Sequence, residues 1–151
     1  MWRPVFLAQL AEVYGKAGQV EEGLSVLAEA LAAVNNRGER CYEAELYRLY
    51  GELTLQKLSV ASTQLSVPSP QYLAPSTQEA EACFLKAIKV ARRQQAKSLE
   101  LRATMSLCRL WQQQDKKDEA RQLLAEIYGW FTEGFDTADL KDAKALLEES
   151  T

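Results

Sequence analysis

A spacing of small and bulky residues that occurs twice constrains this chain more than any other feature. Leu7, Leu10, Ala11, Tyr14, Gly18, Gly23, Leu27 and Ala30 follow one another at steps of 3, 1, 3, 4, 5, 4 and 3 residues. Thr104, Leu107, Cys108, Trp111, Asp115, Ala120, Leu124 and Ile127 repeat those steps. Steps of three and four return a side chain to one face of a helix. The step of five, at Gly18 and Asp115, spans a turn, so each set reads as two helices in a hairpin. The small positions let the two backbones approach, and the bulky ones fill the gap between them. Units of this size repeat when each must stack on its neighbour to bury its apolar face.

A third copy lies between these two and is split. Tyr47, Tyr50, Gly51 and Thr54 supply its first helix, and Ala80, Phe84 and Ala87 its second. Tyr14 to Gly23 is 9 residues and Thr54 to Ala80 is 26, an excess of 17, the length of Ser59–Pro75. That segment carries Pro68, Pro70 and Pro75 among many serines, which argues against helix throughout. It reads as an insertion within one repeat and is expected to be a mobile loop. Leu65, Val67, Tyr72 and Leu73 are its side chains with the means to dock.

The helical reading extends along the whole chain, and no segment alternates as a strand would. Pro4 suits a first turn, and Gly15 to Val20 ends one helix and opens the next. Further helices are expected at about Glu39–Leu58, Ser76–Gln95, Ala96–Gln114, Lys117–Phe131 and Ala138–Glu149. Ser76 and Glu79 form the pattern of a capping box, and Thr137 stands where a cap belongs. The expected organisation is a single all-α domain over 1–151. Its repeats lie at about 4–37, 39–95 with the insertion 59–75, and 96–131, with a capping helix at about 138–149. Gly51 and Ala120 should mark the helix crossings of their own repeats.

Composition narrows the function. Lys plus Arg number 18 against 21 Asp plus Glu, a net charge of −3, which lacks the basic excess of a nucleic-acid binder. The chain has no histidine, so Ser-His-Asp and Cys-His catalysis are impossible and the commonest metal ligand is missing. Cys41, Cys83 and Cys108 are scattered and odd in number, and read as buried thiols, not a disulfide framework or zinc site. Gly15-Lys16-Ala17-Gly18 has phosphate-loop letters in the wrong order and follows a helix. Lys86, Lys89, Arg92, Arg93 and Lys97 read as a solvated helix face. Trp111, Trp130, Phe131 and Phe135 read as a seal under the last helix. No apolar run is long enough to span a membrane, and Met1-Trp2-Arg3-Pro4 lacks the plan of a signal peptide. A cytoplasmic protein without metal, cofactor or catalytic residues is expected.

The repeated positions resemble the tetratricopeptide (TPR) pattern over about residues 4–128. Tyr47 and Thr104 replace its usual Trp, and the 40-residue period from Leu7 to Tyr47 exceeds the usual period of about 34. The resemblance implies an all-α superhelix of three helical hairpins plus the C-terminal capping helix, and binding of a protein or peptide segment. It also implies that the inner face of each first helix lines a concave groove. By position that face is Val5, Ala8, Glu12 and Gly15; Glu45, Arg48, Glu52 and Leu55; and Arg102, Met105, Arg109 and Gln112. Glu12, Glu45, Arg48, Glu52, Arg102, Met105 and Arg109 are the candidate partner-binding residues. The face so mapped is acidic at one end and basic at the other. The Lys and Asn of chaperone-binding TPRs are Ala8 and Glu12 here, which disfavours a chaperone tail.

A narrower resemblance lies in Glu79-Ala-Glu-Ala-Cys-Phe-Leu-Lys-Ala-Ile, in Arg92-Arg-Gln-Gln-Ala-Lys-Ser-Leu-Glu-Leu-Arg-Ala and in Trp130-Phe-Thr-Glu-Gly-Phe-Asp-Thr-Ala-Asp-Leu. These are similar to the C-terminal region of bacterial signalling proteins that join a class III adenylate/guanylate cyclase to an ATPase and end in TPR-like repeats. The implied function is a sensing or scaffolding module, with other domains of the same parent protein among its partners. Two alternatives are a structural spacer or homodimerisation element, and a small-molecule-sensing repeat domain.

Overall fold

The computed structural model describes the backbone at 3–37, 42–64, 70–134 and 137–149, and side chains at 7–34, 42–57, 77–134 and 137–149. These residues form α1 (Arg3–Lys16), α2 (Val20–Arg37), α3 (Glu43–Gln64), α4 (Pro70–Arg93), α5 (Lys97–Gln113), α6 (Lys117–Tyr128) and α7 (Ala138–Glu149). No strand occurs among them.

The turn positions of the two unbroken repeats fold alike. Gly18 (φ +79°) and Asp115 (φ +61°) both take the left-handed conformation. The N–H of Gln19 then donates to Tyr14 O at 2.8 Å, and that of Lys116 to Trp111 O at 2.9 Å. This six-residue closure caps a helix C-terminus and reverses the chain. Glycine adopts it freely, and aspartate is among the side chains that tolerate it.

The hairpins are α1–α2, α3–α4 and α5–α6, each packed on the next, with α7 closing the stack. The backbone of each odd helix runs close to that of the next odd one, while among the described residues successive even helices stand further apart. Crowded odd helices and splayed even ones bend the stack, with α1, α3, α5 and α7 on its inner side.

Small residues set the approach within and between hairpins, as their spacing implied. A Cβ on Gly51 would lie 2.6 Å from the Phe84 ring, and Phe84 is wholly buried. Ala120 is buried at the crossing of α5 and α6, where its carbonyl accepts the Cys108 thiol at 3.1 Å. Leu53 inserts between α1 and α2, 2.7 and 2.8 Å from where a Cβ on Gly15 or Gly23 would stand. Burial pushes the Cys108 thiol up to about 12, against a smaller opposing pull from Arg109, so it is a core side chain and not a nucleophile.

Several expectations need correction. The insertion is not a loop over most of its length. Helix α3 continues to Gln64 and α4 begins at Pro70, leaving only 65–69 outside the described residues. Pro70 opens α4, where a missing N–H costs nothing. Pro75 falls inside α4 and forfeits one backbone hydrogen bond. The Ser76–Glu79 box lies within α4 and does not start it. Helix α3 begins at Glu43, not Glu39, and α6 ends at Tyr128, not Phe131. Cys83 is half-buried, not buried, and Cys41 lies outside the described residues. Trp130 does not seal the core; it is exposed, edge-on to Phe131 at 5.2 Å. Thr137 precedes α7 as expected, but its hydroxyl donates back to Gly134 O at 2.8 Å. Phe135 lies outside the described residues.

Candidate protein-interaction surface

The candidate groove residues sit on the odd helices, and the middle of that face is occupied by the protein's own charges. Glu45, in the first turn of α3, is 3% exposed. It takes Arg48 in a two-point grip, Nη2 to Oε1 at 2.6 Å and Nε to Oε2 at 3.0 Å. The same Oε1 accepts from Arg102 Nη1 of α5 at 3.1 Å. Arg102 reaches on to α7, with Nε 3.3 Å from Asp139 Oδ2. Ser106 of α5 donates to Glu52 Oε1 of α3 at 2.7 Å, and Arg48 Nη1 lies 3.8 Å from that oxygen. Three odd helices are therefore tied by one polar chain. Burial pulls the Arg48 guanidinium down, but hydrogen bonding and charge pairing with Glu45, with Glu52 and Glu12 further out, raise it above its ordinary value.

An open cleft flanks this seam on each side. Between α1 and α3 a cleft of about 420 Å³ is lined by Glu12, Gly15, Lys16, Arg48, Leu49, Glu52, Leu53 and Gln56. Gln56 Nε2 donates to Gly15 O at 2.7 Å and so closes the C-terminal end of α1. Between α5 and α7 a cleft of about 560 Å³ is lined by Arg109, Gln112, Gln113, Asp142, Ala145, Leu146 and Glu149. A third cleft, of about 390 Å³ and mostly apolar, opens between the splayed α2 and α4 over Tyr47 and Tyr50, beside Cys83.

The structure thus brings together Glu12, Glu45, Arg48 and Glu52 around the first cleft and network, joins Arg102 to that network, and sets Arg109 in the second cleft. Met105 is corrected: at 3% exposure it packs in the core with Cys108 and Leu124 and lines no groove. Glu45 is likewise a buried hub, not a lining side chain. Ala8 is buried, and Leu55 packs toward Phe84. Reading every third or fourth residue as inner face missed Lys16, Leu49, Leu53 and Gln113, because the clefts lie between helices and admit side chains one position round. Arg48 and Arg102 are both paired with Glu45, which bears on a charge reversal by Arg48→Glu and Arg102→Glu. Those substitutions would set new carboxylates against Glu45, Glu52 and Asp139.

The basic run spans the end of α4 and the start of α5, and most of it is paired. Arg92 donates to the buried Glu100 at 2.8 Å, Lys97 lies 3.4 Å from the same carboxylate, and Lys86 sits 4.6 Å over the Tyr47 ring. The Trp111 indole donates to Glu81 at 3.1 Å, which uses it as a packing residue.

The chain is an all-α protein built as a stack of helical hairpins. No protein-family model matches it, and no curated protein does. Among solved structures it is similar to the TPR-like repeats of a Podosopora anserina protein described as a kinesin light chain, at 19% identity and a TM-score of 0.47, over 99% of this chain and 87% of that one. A single-substitution variant of the same protein is similar at 18% identity with the same TM-score and coverage. Among the described residues, no helix is long and apolar enough to cross a membrane, and no cluster of three metal-ligating side chains occurs.

Proposed function

We propose that this chain binds a protein segment along the inner face of α1, α3, α5 and α7, and that it acts by holding and not by catalysis. The observation that carries this reading is the pair of open clefts on that face, held apart by the ion network. A rigid seam between two open clefts provides preformed sites without a large ordering cost on binding. The resemblance of the 79–140 region to the C-terminal part of cyclase–ATPase signalling proteins supports a sensing or scaffolding role, with another domain of a parent protein among the candidate partners.

The test fills the clefts. Lys16→Trp and Gln113→Trp place bulk in the first and second cleft at exposed sites, and Glu22→Trp does so on the exposed side of α2. Protein captured by wild type from native lysate should be lost with the first two and retained with the third. Equal capture by all would move the site elsewhere. The apolar cleft over Tyr47 and Tyr50 supports a second reading, retention of a small apolar molecule. Native mass spectrometry of the purified chain tests it, and a bare mass in every charge state counts against it.

A further inference from the structure

We infer that the cleft between α1 and α3 takes a basic, leucine-rich type of segment, with a Lys or Arg side chain between Glu12 and Glu52 and an apolar side chain on Leu49 and Leu53. The inference deepens the inner-face reading and rests on it. The cleft has an apolar floor, since Leu49 and Leu53 lie at its base and Gly15 adds no side chain there. Its walls are charged, and their charges are unequally committed.

Arg48 is already neutralised by the two-point grip of Glu45. Within the network the carboxylates of Glu45, Glu52 and Asp139 outnumber the guanidiniums of Arg48 and Arg102. Lys16 is the other cation of the cleft. It is 77% exposed and holds Glu12 only through a one-turn pair at 3.5 Å, an interaction that contributes little and that an incoming cation replaces readily. Glu12 is half-exposed, and Glu52 uses Oε1 for Ser106 and Arg48 while Oε2 has no partner among the described residues. A lysine or arginine suits such a place because its stem lies along leucine while its charge reaches carboxylate. The second cleft carries the same sign, with Asp142 and Glu149 against the single cation Arg109 in its lining. Charge of one sign along a face selects partners and speeds their encounter more than it adds affinity. The face mapped from sequence as acidic at one end and basic at the other thus becomes one that suits a basic ligand, because the Arg48 and Arg102 charges are paired inside the molecule.

Fluorescence anisotropy with three short labelled peptides of equal length tests this on the whole chain. One alternates Lys with Leu, one Lys with Ser and one Glu with Leu. The Lys–Leu peptide should bind about tenfold more tightly than either other, a difference of about 1.4 kcal/mol. Glu12→Gln with Glu52→Gln should weaken it about tenfold, and Glu12→Gln alone about threefold, with helicity by circular dichroism unchanged. Equal affinity for Glu–Leu, or no response to the Gln variants, overturns the inference. Tight Glu–Leu binding that Lys16→Trp blocks overturns the basic ligand but keeps the inner-face reading. Lys–Leu binding that neither Lys16→Trp nor Gln113→Trp affects overturns both. Self-association that the Gln variants abolish assigns the cleft to a second copy and overturns the peptide.

Discussion

The seam between α3 and α5 and the seam between α1 and α3 join equivalent helices of successive repeats, yet they are built from different materials. The first is cross-linked by Glu45, Arg48, Arg102, Ser106 and Glu52. The second is held by Leu53 against Gly15 and by the Gln56–Gly15 hydrogen bond, while Leu53 against Gly23 and an exposed 2.9 Å pair of Lys57 with Glu21 join α3 to the neighbouring α2. Buried carboxylate and guanidinium must find each other or incur a large desolvation cost, so the polar seam closes on itself. A seam of leucine and glycine has no such demand and leaves its rim open. One repeat geometry therefore yields a locked junction and a receptive one.

Substitutions can break that contrast. The largest effect is expected from Leu53→Ala, which removes the side chain that fills the receptive seam. It should cost about 2–5 kcal/mol, as large-to-small core changes do, and denaturant unfolding followed by circular dichroism measures it. A loss below about 1 kcal/mol would show that the first repeat is held elsewhere. Glu45→Ala, in the locked seam, should cost about 2–4 kcal/mol; Arg48 is left without its main partner, but Arg102 still reaches solvent and Asp139. The same melts serve, and a neutral result would mean that the network adds no stability.

Gly51→Val sharpens the comparison from inside the hairpin that both seams share. Its side chain would overlap the Phe84 ring and overpack the crossing by about 1–3 kcal/mol, read as a lowered melting temperature. An unchanged value would contradict the close approach of α3 and α4. The smallest effect belongs to Glu12→Gln, which should alter stability by less than about 0.5 kcal/mol. A larger loss would make Glu12 a structural residue and not part of a receptive rim.

The chain order of hairpins, their small-residue crossings and the turns at Gly18 and Asp115 were legible because each depends on residues close in sequence. Helical spacing decides which side chains share a face, and a left-handed turn needs a tolerant residue at one position. The insertion was not legible in the same way. Proline and serine argued locally for a break, whereas two antiparallel arms that extend one another are settled only when both are present, and Pro70 was well placed to open the second.

The sequence by itself determined the repeat, the helical class and the lack of histidine chemistry, since periodicity and composition are local properties. Only the tertiary structure decided which charges remain available to a partner. Arg48, Arg102 and Glu45 looked alike as exposed groove residues, because a helix face does not say what stands opposite it. Residues up to 58 positions apart supply their partners, and that meeting, set by the stacking of three helices, turned groove charges into an internal lock and left Glu12 and Glu52 on the rim.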